Sequence, residues 1–345
     1  MAEIGKHRAL ARSAAKTVAF PVKFTRIVFS VVKSMREMSS SKKFIVTTTV
    51  NQPTEAIERF DALSDWTLIV VGDLQTPTDY RLTHGIYLSP SDQEKLAPKL
   101  SKLIGWNCIQ RRNLGFVMAL DMGADIVATI DDDNIPYECW GRHLLVGQTT
   151  TLKTYEASNG CFDPIGVTEH DHLWHRGYPL QLLRTRSHSA CAAKPIHVDV
   201  QADFWDGDPD VDAICRLEHA PSVRFDPQTF PFTSSAISPF NSQNTFIGRN
   251  ALTRYFVVPG VGRMDDIWAA FHLQSLGFKV AYGPPSVRQC RNPHDLTQNL
   301  TDEFLGYRRN AELVHAINNG AYEIADFWPE KARLAYDEYL RRVNA

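Results

Sequence analysis

The stretch "VATIDDDNIP", Val127 to Pro136, ends an apolar, β-branched run with three consecutive aspartates. The run predicts a strand covered on both faces, and three carboxylates at its end call for something to compensate them. Side chains alternate across a strand, so Asp131 and Asp133 are expected on one side and Asp132 on the other. Two carboxylates sharing a small space either take up a proton or share a cation. Mn²⁺ or Mg²⁺ suits, since such an ion accepts one or two carboxylates and keeps its other positions for water and phosphate oxygens. The alternative is an acidic, solvated turn closed by Asn134 and Pro136.

Working outward, strands and helices alternate. "FIVTTTV" (Phe44 to Val50) is a short β-branched strand, and "TEAIERFDAL" (Thr54 to Leu63) is a helix opened by a capping threonine. "WTLIVVGD" (Trp66 to Asp73) is a second apolar strand, "RRNLGFVMALDMGA" (Arg111 to Ala124) a helix ended by glycine, and "DIVATIDDD" (Asp125 to Asp133) the next strand. This order predicts a doubly wound α/β sheet with ligands beyond the carboxyl ends of its strands. Asp73 and the triplet both fall at such ends. A nucleoside diphosphate fits there: the cation bridges its phosphates, and Asp73 can accept hydrogen bonds from ribose or base. At the start of the intervening helix, Arg112 and Asn113 can reach phosphate oxygens, whereas Arg111 reads as a solvated cap.

Composition restricts the alternatives. The 345 residues, 43% of them hydrophobic, suffice for one large domain or two smaller ones. Six scattered cysteines without a C-x-x-C pair disfavour a zinc ribbon or disulfide framework and fit a reducing, cytoplasmic compartment. No apolar run approaches the roughly 20 residues of a membrane span, and no secretory signal is evident. Residues 1–43 carry ten Lys/Arg against Glu3 and Glu37, a charge of +8; the remainder, with 27 basic and 37 acidic residues, totals −10. Nucleic-acid binding is disfavoured by that acidic remainder. Residues 1–42 form a basic extension, split by Pro21, that suits a membrane surface, a protein partner or docking on its own acidic domain; a transit peptide is a weaker option. A catalytic domain over 43–330 and a C-terminal helix over 331–345 complete the division. Whether the chain forms a homo-oligomer is left open.

Several blocks in one order resemble a known family. "TIDDDN", the "R-N-x-G-F" helix, "HRGYPLQL" (His175 to Leu182), "DPDVDA" (Asp208 to Ala213), "PFNSQNTFIGRNAL" (Pro239 to Leu252) and "GRMDDIWAAF" (Gly262 to Phe271) are similar to the reversibly glycosylated polypeptides, which are UDP-arabinopyranose mutases of glycosyltransferase-A type fold. The resemblance runs with gaps from about Phe44 to about Tyr307. It implies an α/β fold of that type, with a mainly parallel central sheet, and a divalent metal at Asp131 and Asp133. It implies a UDP-sugar at the first two strands, with Thr48, Asn51, Asp73, Arg112, Asn113, Asp131 and Asp132 as candidate contacts, and pyranose–furanose interconversion. It also implies that Arg176 of "RGYP" becomes glycosylated and that Asp265 and Asp266 belong to the site. The chain departs from the family at "QCRNPHDL" (Gln289 to Leu296), where His294 stands as a replacement metal or phosphate ligand.

A covalent role for Arg176 has a cost. A guanidinium at neutral pH lies about six units below its pKa, so exposing a lone pair would cost roughly 8 kcal/mol. A neighbouring carboxylate must accept the proton, and Asp265 or Asp266 is the candidate; without one, Arg176 is a phosphate clamp. One of the two aspartates can simply cap the helix carrying Ile267, Trp268 and Phe271, and Asp266 is favoured for the site. The histidines of "TEHDHLWH" match no zinc spacing and read as a loop leading to Arg176. "NSQNTF" reads as a polar loop lining a sugar pocket or as a structural turn. A metal-dependent glycosyltransferase acting on an acceptor is the alternative activity, and a non-catalytic scaffold is the third reading.

Overall fold

The computed structural model describes residues 41–290, 295–321 and 323–344, so residues 1–40 of the basic extension and His294 lie outside the described residues. Lys42–Ala345 forms one compact unit. Its strands are β1 (Lys43–Thr49), β2 (Thr67–Gly72), β3 (Ile86–Leu88), β4 (Ile126–Ile130), β5 (Asn134–Pro136), β6 (Thr149–Glu156), β7 (Ser189–His197), β8 (Val200–Gly207), β9 (Phe232–Ser234), β10 (Asn244–Gly248) and β11 (Val280–Gln289). They make one sheet in the order β3-β2-β1-β4-β10-β8-β11-β9-β6-β7, with β5 paired to β11. The helices are α1 (Glu55–Asp61), α2 (Pro90–Leu96), α3 (Pro98–Ile104), α4 (Arg112–Asp121), α5 (Ala213–His219), α6 (Arg249–Leu252), α7 (Asp265–Ser275), α8 (Leu296–Asn318) and α9 (Glu330–Val343). This is the mixed α/β architecture with a large central sheet expected of a glycosyltransferase-A type fold. No helix among the described residues is long and apolar enough to cross a membrane.

The β3-β2-β1-β4 half is wholly parallel, and its strands are apolar on both faces because helices cover them. Thr54 caps α1 as its sequence predicts: its hydroxyl oxygen accepts from Ile57 N, and its hydroxyl donates to the backbone oxygen of Asp132. Gly115 sets the seat of α4. A Cβ there would meet Val46 at 2.5 Å and Val71 at 2.8 Å, so glycine lets the helix press onto β1 and β2. The N-terminus of α4, with Arg112 and Asn113, is thereby fixed beside the carboxyl ends of those strands. Helix α9 packs against α3 and α4, with Tyr339 Oη donating to the Leu252 carbonyl at 2.8 Å.

Beyond β4 the sheet becomes mixed: β10 runs antiparallel to β4, and β11 runs parallel to β8. The register of β11 shifts between Gly283 and Val287, around Pro284 and Pro285, after which Val287–Gln289 pair with β5. Strand β4 stops at Ile130, so the triplet is the turn between β4 and β5 rather than the end of the strand. That turn spans from the parallel half of the sheet to the shifted end of β11.

Candidate functional site

The carboxyl ends of β1, β2 and β4 open into a cleft of about 800 Å³. Thr48, Asn51, Asp73, Arg112, Asp131, Asp132, Asp133, Arg176, Asp265 and Asp266 all line it, so ten of the sequence candidates converge although they span more than two hundred positions. Asn113 does not. Its amide nitrogen donates to the Val257 carbonyl at 2.8 Å, and its oxygen accepts from Val257 N at 2.9 Å, which makes it a buried brace between α4 and the segment after α6.

The aspartates of the triplet face different partners. Asp131 Oδ1 accepts from Arg112 Nη2 at 2.9 Å, and enclosure in the cleft pushes its pKa up against that pull, with Asp266 and Asp132 adding repulsion. Asp132 turns to the β1 side, where Oδ2 accepts from Thr49 Oγ1 at 2.5 Å and Asn51 Nδ2 at 3.2 Å. Asp133 lines the cleft beside them. Among the described residues no three His, Cys, Asp or Glu side chains are grouped as a metal site.

Asp73 is engaged differently from expectation. Its oxygens accept from Leu74 N at 2.6 Å, Asn107 N at 2.9 Å and Cys108 N at 3.0 Å, so it pins the loop leading into α4 instead of standing open to a ribose. Arg111 is not a solvated cap. It is fully buried, donates to Gln93 Oε1, Ser101 and the Gly105 carbonyl, and lies 3.6 Å from the Trp106 ring centroid. Burial pulls its pKa down to about 10. Arg112, also buried, spans the site: Nη1 donates to Thr129 Oγ1, the Ser242 carbonyl and Ser242 Oγ, while Nη2 holds Asp131.

Arg176 lies between two carboxylates. Nε donates to Asp210 Oδ1 at 2.8 Å and Oδ2 at 3.1 Å; Nη1 and Nη2 donate to Asp266 at 3.0 and 3.1 Å; Nη1 also donates to the Arg263 carbonyl. Four of five N–H donors are therefore committed: Nε–H, both on Nη1 and one on Nη2. Burial alone would lower the pKa of Arg176, but Asp210 and Asp266 outweigh it and hold the pKa well above its ordinary value. Asp266 also accepts from Ser242 N at 2.8 Å, and its pKa lies below the ordinary value because the guanidinium outweighs burial.

Asp265 is the opposite case. Buried at the N-terminus of α7, it accepts from Gln110 Nε2 at 2.6 Å and Asp266 N at 3.0 Å. Burial, with repulsion from Asp266, pushes it up to about 7. The two neighbours thus hold their protons very differently, as acid–base pairs do.

Asp210 and Gln110 line the site although neither is singled out by the sequence, while Ser242 comes from the "NSQNTF" loop read as lining a sugar pocket. "DPDVDA" displays Asp210, but nothing local distinguishes it from Asp208 or Asp212. "NSQN" proves to be a hub: Asn241 Nδ2 donates to Asp210 at 2.7 Å, Ser242 joins Asp266 to Arg112, and Asn134 Nδ2 donates to the Gln243 carbonyl at 2.6 Å. The histidine-rich loop leads to Arg176 as read, and His175 Nδ1 lies 2.6 Å from the Arg176 carbonyl.

No family model matches the chain. It is similar to the proteins named Probable glycosyltransferase STELLO2 and STELLO1 of Arabidopsis thaliana, each 24% identical over 273 residues. The matches cover 72% of this chain and 36% and 35% of the two proteins, so the chain spans about a third of the length of the curated relatives it matches. Among solved structures it is similar to a mycobacterial protein (TM-score 0.41, 14% identity, 82% of this chain and 75% of that one). It is also similar to A197 from STIV (TM-score 0.30, 12% identity, 71% and 83%). The likeness in sequence is to proteins named as probable glycosyltransferases.

Proposed function

We propose that the cleft binds the diphosphate of a nucleotide sugar and transfers the sugar to an acceptor. The observation that carries this reading is the convergence of the triplet, Arg112 and the Asp265–Asp266 pair on one cleft at the carboxyl ends of parallel strands. The glycosyltransferase names of the relatives point the same way.

The charge of the cleft suits a divalent cation. Among the described residues, eight aspartates and four arginines line it, and Arg111, Arg112 and Arg176 are engaged with protein groups, so a bare diphosphate would meet a repelling field from that lining. Asp131, whose pKa is raised by enclosure, and Asp133 would hold Mn²⁺ or Mg²⁺, one or two carboxylates being enough when phosphate oxygens supply further ligands. Such an ion would neutralise charge on the departing diphosphate. Arg112 keeps Asp131 turned towards the cleft. Asp265, half-ionised near pH 7, suits a general base that takes the acceptor hydroxyl proton, with Gln110 orienting it. Arg176 and Asp266 form the charged wall behind it. Carboxylates do approach Arg176, as covalent glycosylation would require, but they bind its proton more firmly instead of accepting it. That counts against the pyranose–furanose mutase reading.

The test is incubation with Mn²⁺, a panel of nucleotide sugars headed by UDP-sugars, and simple sugar acceptors, followed by mass spectrometry. Nucleoside diphosphate release with a glycosylated acceptor is expected. A new nucleotide-sugar isomer of unchanged mass, formed without acceptor, would overturn transfer in favour of the mutase.

A further inference from the structure

Arg263 lines the same cleft, yet neither the triplet nor the Asp265–Asp266 pair uses its side chain. It sits on the turn Gly262–Met264 just before α7, and that turn is pressed onto one face of α8. Two glycines permit the approach. A Cβ on Gly262, whose φ is +62°, would meet the Asp302 carbonyl at 2.0 Å, and a Cβ on Gly306 would meet Met264 at 2.5 Å. Between those contacts lies Glu303, fully buried. Its Oε1 accepts from Arg263 Nε at 2.8 Å, and its Oε2 accepts from Ala213 N at 2.7 Å and Tyr307 Oη at 2.5 Å.

A guanidinium present only to neutralise a carboxylate ordinarily presents two N–H groups to it. Arg263 offers Nε alone, and neither Nη atom has a protein partner among the described residues. The buried carboxylate fixes the stem of the guanidinium, and the forked end is left at the cleft wall, with the side chain 24% exposed. Asp210 and Asp302 line the same cleft. A rigid planar cation in an otherwise acidic wall selects an anion.

We propose that Arg263 recognises an anionic group, phosphate or carboxylate, on the acceptor sugar. The inference deepens the transfer reading and rests on it for the word acceptor, although the anion site itself does not. The forked Nη pair would take two oxygens of the group, with Glu303 holding the fork in register and Asp265 within the same wall.

The test is equilibrium binding of glucose, glucuronate and glucose 6-phosphate to the full chain, with and without UDP and Mn²⁺, for wild type, Arg263→Gln and Arg263→Lys. Wild type is expected to prefer at least one charged sugar over glucose by about tenfold or more, the effect of a charge-assisted bidentate pair. The arm with the larger preference says which anion it is. Arg263→Gln is expected to abolish the preference, and Arg263→Lys to retain part of it. UDP binding is expected to be unchanged in both. Equal binding of all three sugars by wild type, or a preference that survives Arg263→Gln, would overturn the proposal, as would weaker UDP binding in Arg263→Gln, which would make Arg263 a diphosphate ligand. If UDP and Mn²⁺ fail to bind while the charge preference and its loss are seen, the transfer reading fails and the anion site stands.

Discussion

Asp265→Asn separates the electrostatics of the site from its chemistry. In the folded chain Asp265 is pushed from 3.8 to about 7, chiefly by burial and secondly by Asp266. Below pH 4 both folded and unfolded chains hold this proton. Between pH 4 and 7 the unfolded chain has released it and the folded chain keeps it, so stability falls as pH rises through that window. From pH 5 to pH 7 is two units, so at 1.36 kcal/mol per unit the stability difference between wild type and Asp265→Asn should move by roughly 2–3 kcal/mol between pH 5 and pH 8, in favour of the variant. Asparagine keeps an oxygen for Asp266 N, and Gln110 can rotate its amide to meet the new Nδ2. Asp203 and Asp212, also raised to about 7, titrate in both proteins and cancel in the difference. The assay is urea unfolding at the two pH values, followed by tryptophan fluorescence. Transfer activity should meanwhile be lost in the variant and, in wild type, rise with pH through about 7, so that function and stability run in opposite directions. A stability difference that does not change with pH, or one that favours wild type at pH 8, would refute the assignment of a neutral-range carboxyl to Asp265.

Arg176→Lys keeps a charge but cannot serve Asp210 and Asp266 together; breaking this buried cluster should cost about 3–5 kcal/mol in urea unfolding and most of the transfer activity. Asn113→Ala removes both hydrogen bonds to Val257 and should cost about 1–3 kcal/mol, while calorimetry finds nucleotide affinity unchanged in the folded protein. Asp131→Asn should weaken manganese-dependent nucleotide binding while leaving metal-free binding nearly as it was, and chelation of wild type should do the same; equal nucleotide affinity with and without the ion would remove it from the site.

The sequence made the first half of the sheet legible because the signals there are local. Strands β2 and β4 are largely apolar runs and β1 a β-branched one, and Thr54 caps α1 from the position its type predicts. The triplet was legible as an acidic turn at a cleft, but not in its orientation, since β4 ends one residue before it and strand alternation no longer governs the side chains. Arg111 and Arg112 show where local reading fails. Adjacent on a helix start and chemically identical, they differ only in what packs beside them: Trp106 and the Ser101–Gly105 segment for one, Ser242, 130 positions away, for the other. Asn113 has the signature of a phosphate contact at a helix N-terminus, yet Val257, 144 positions on, takes both ends of its amide. Asp210 was hidden for the same reason, since only the folded chain shows which aspartate of "DPDVDA" reaches Arg176.

What these long-range contacts share is the way they distribute charge. Arg176 is held between Asp210 and Asp266, and Arg112 is shared between Asp131 and Ser242, which itself binds Asp266. The run from Asp210 through Arg176, Asp266, Ser242 and Arg112 to Asp131 is therefore continuous, with buried cations alternating between carboxylates. Each arginine satisfies its flanking acids, so neither has a charge left over to attract a diphosphate, and the described lining of the cleft stays negative. Among the described residues, what remains for an anion is a cation held at the triplet, or the Nη donors of Arg263, which the run does not reach and which Glu303, bound at Nε, leaves open. A cleft built this way rejects free anions and admits them only where a cation stands, which makes binding selective before any chemistry begins.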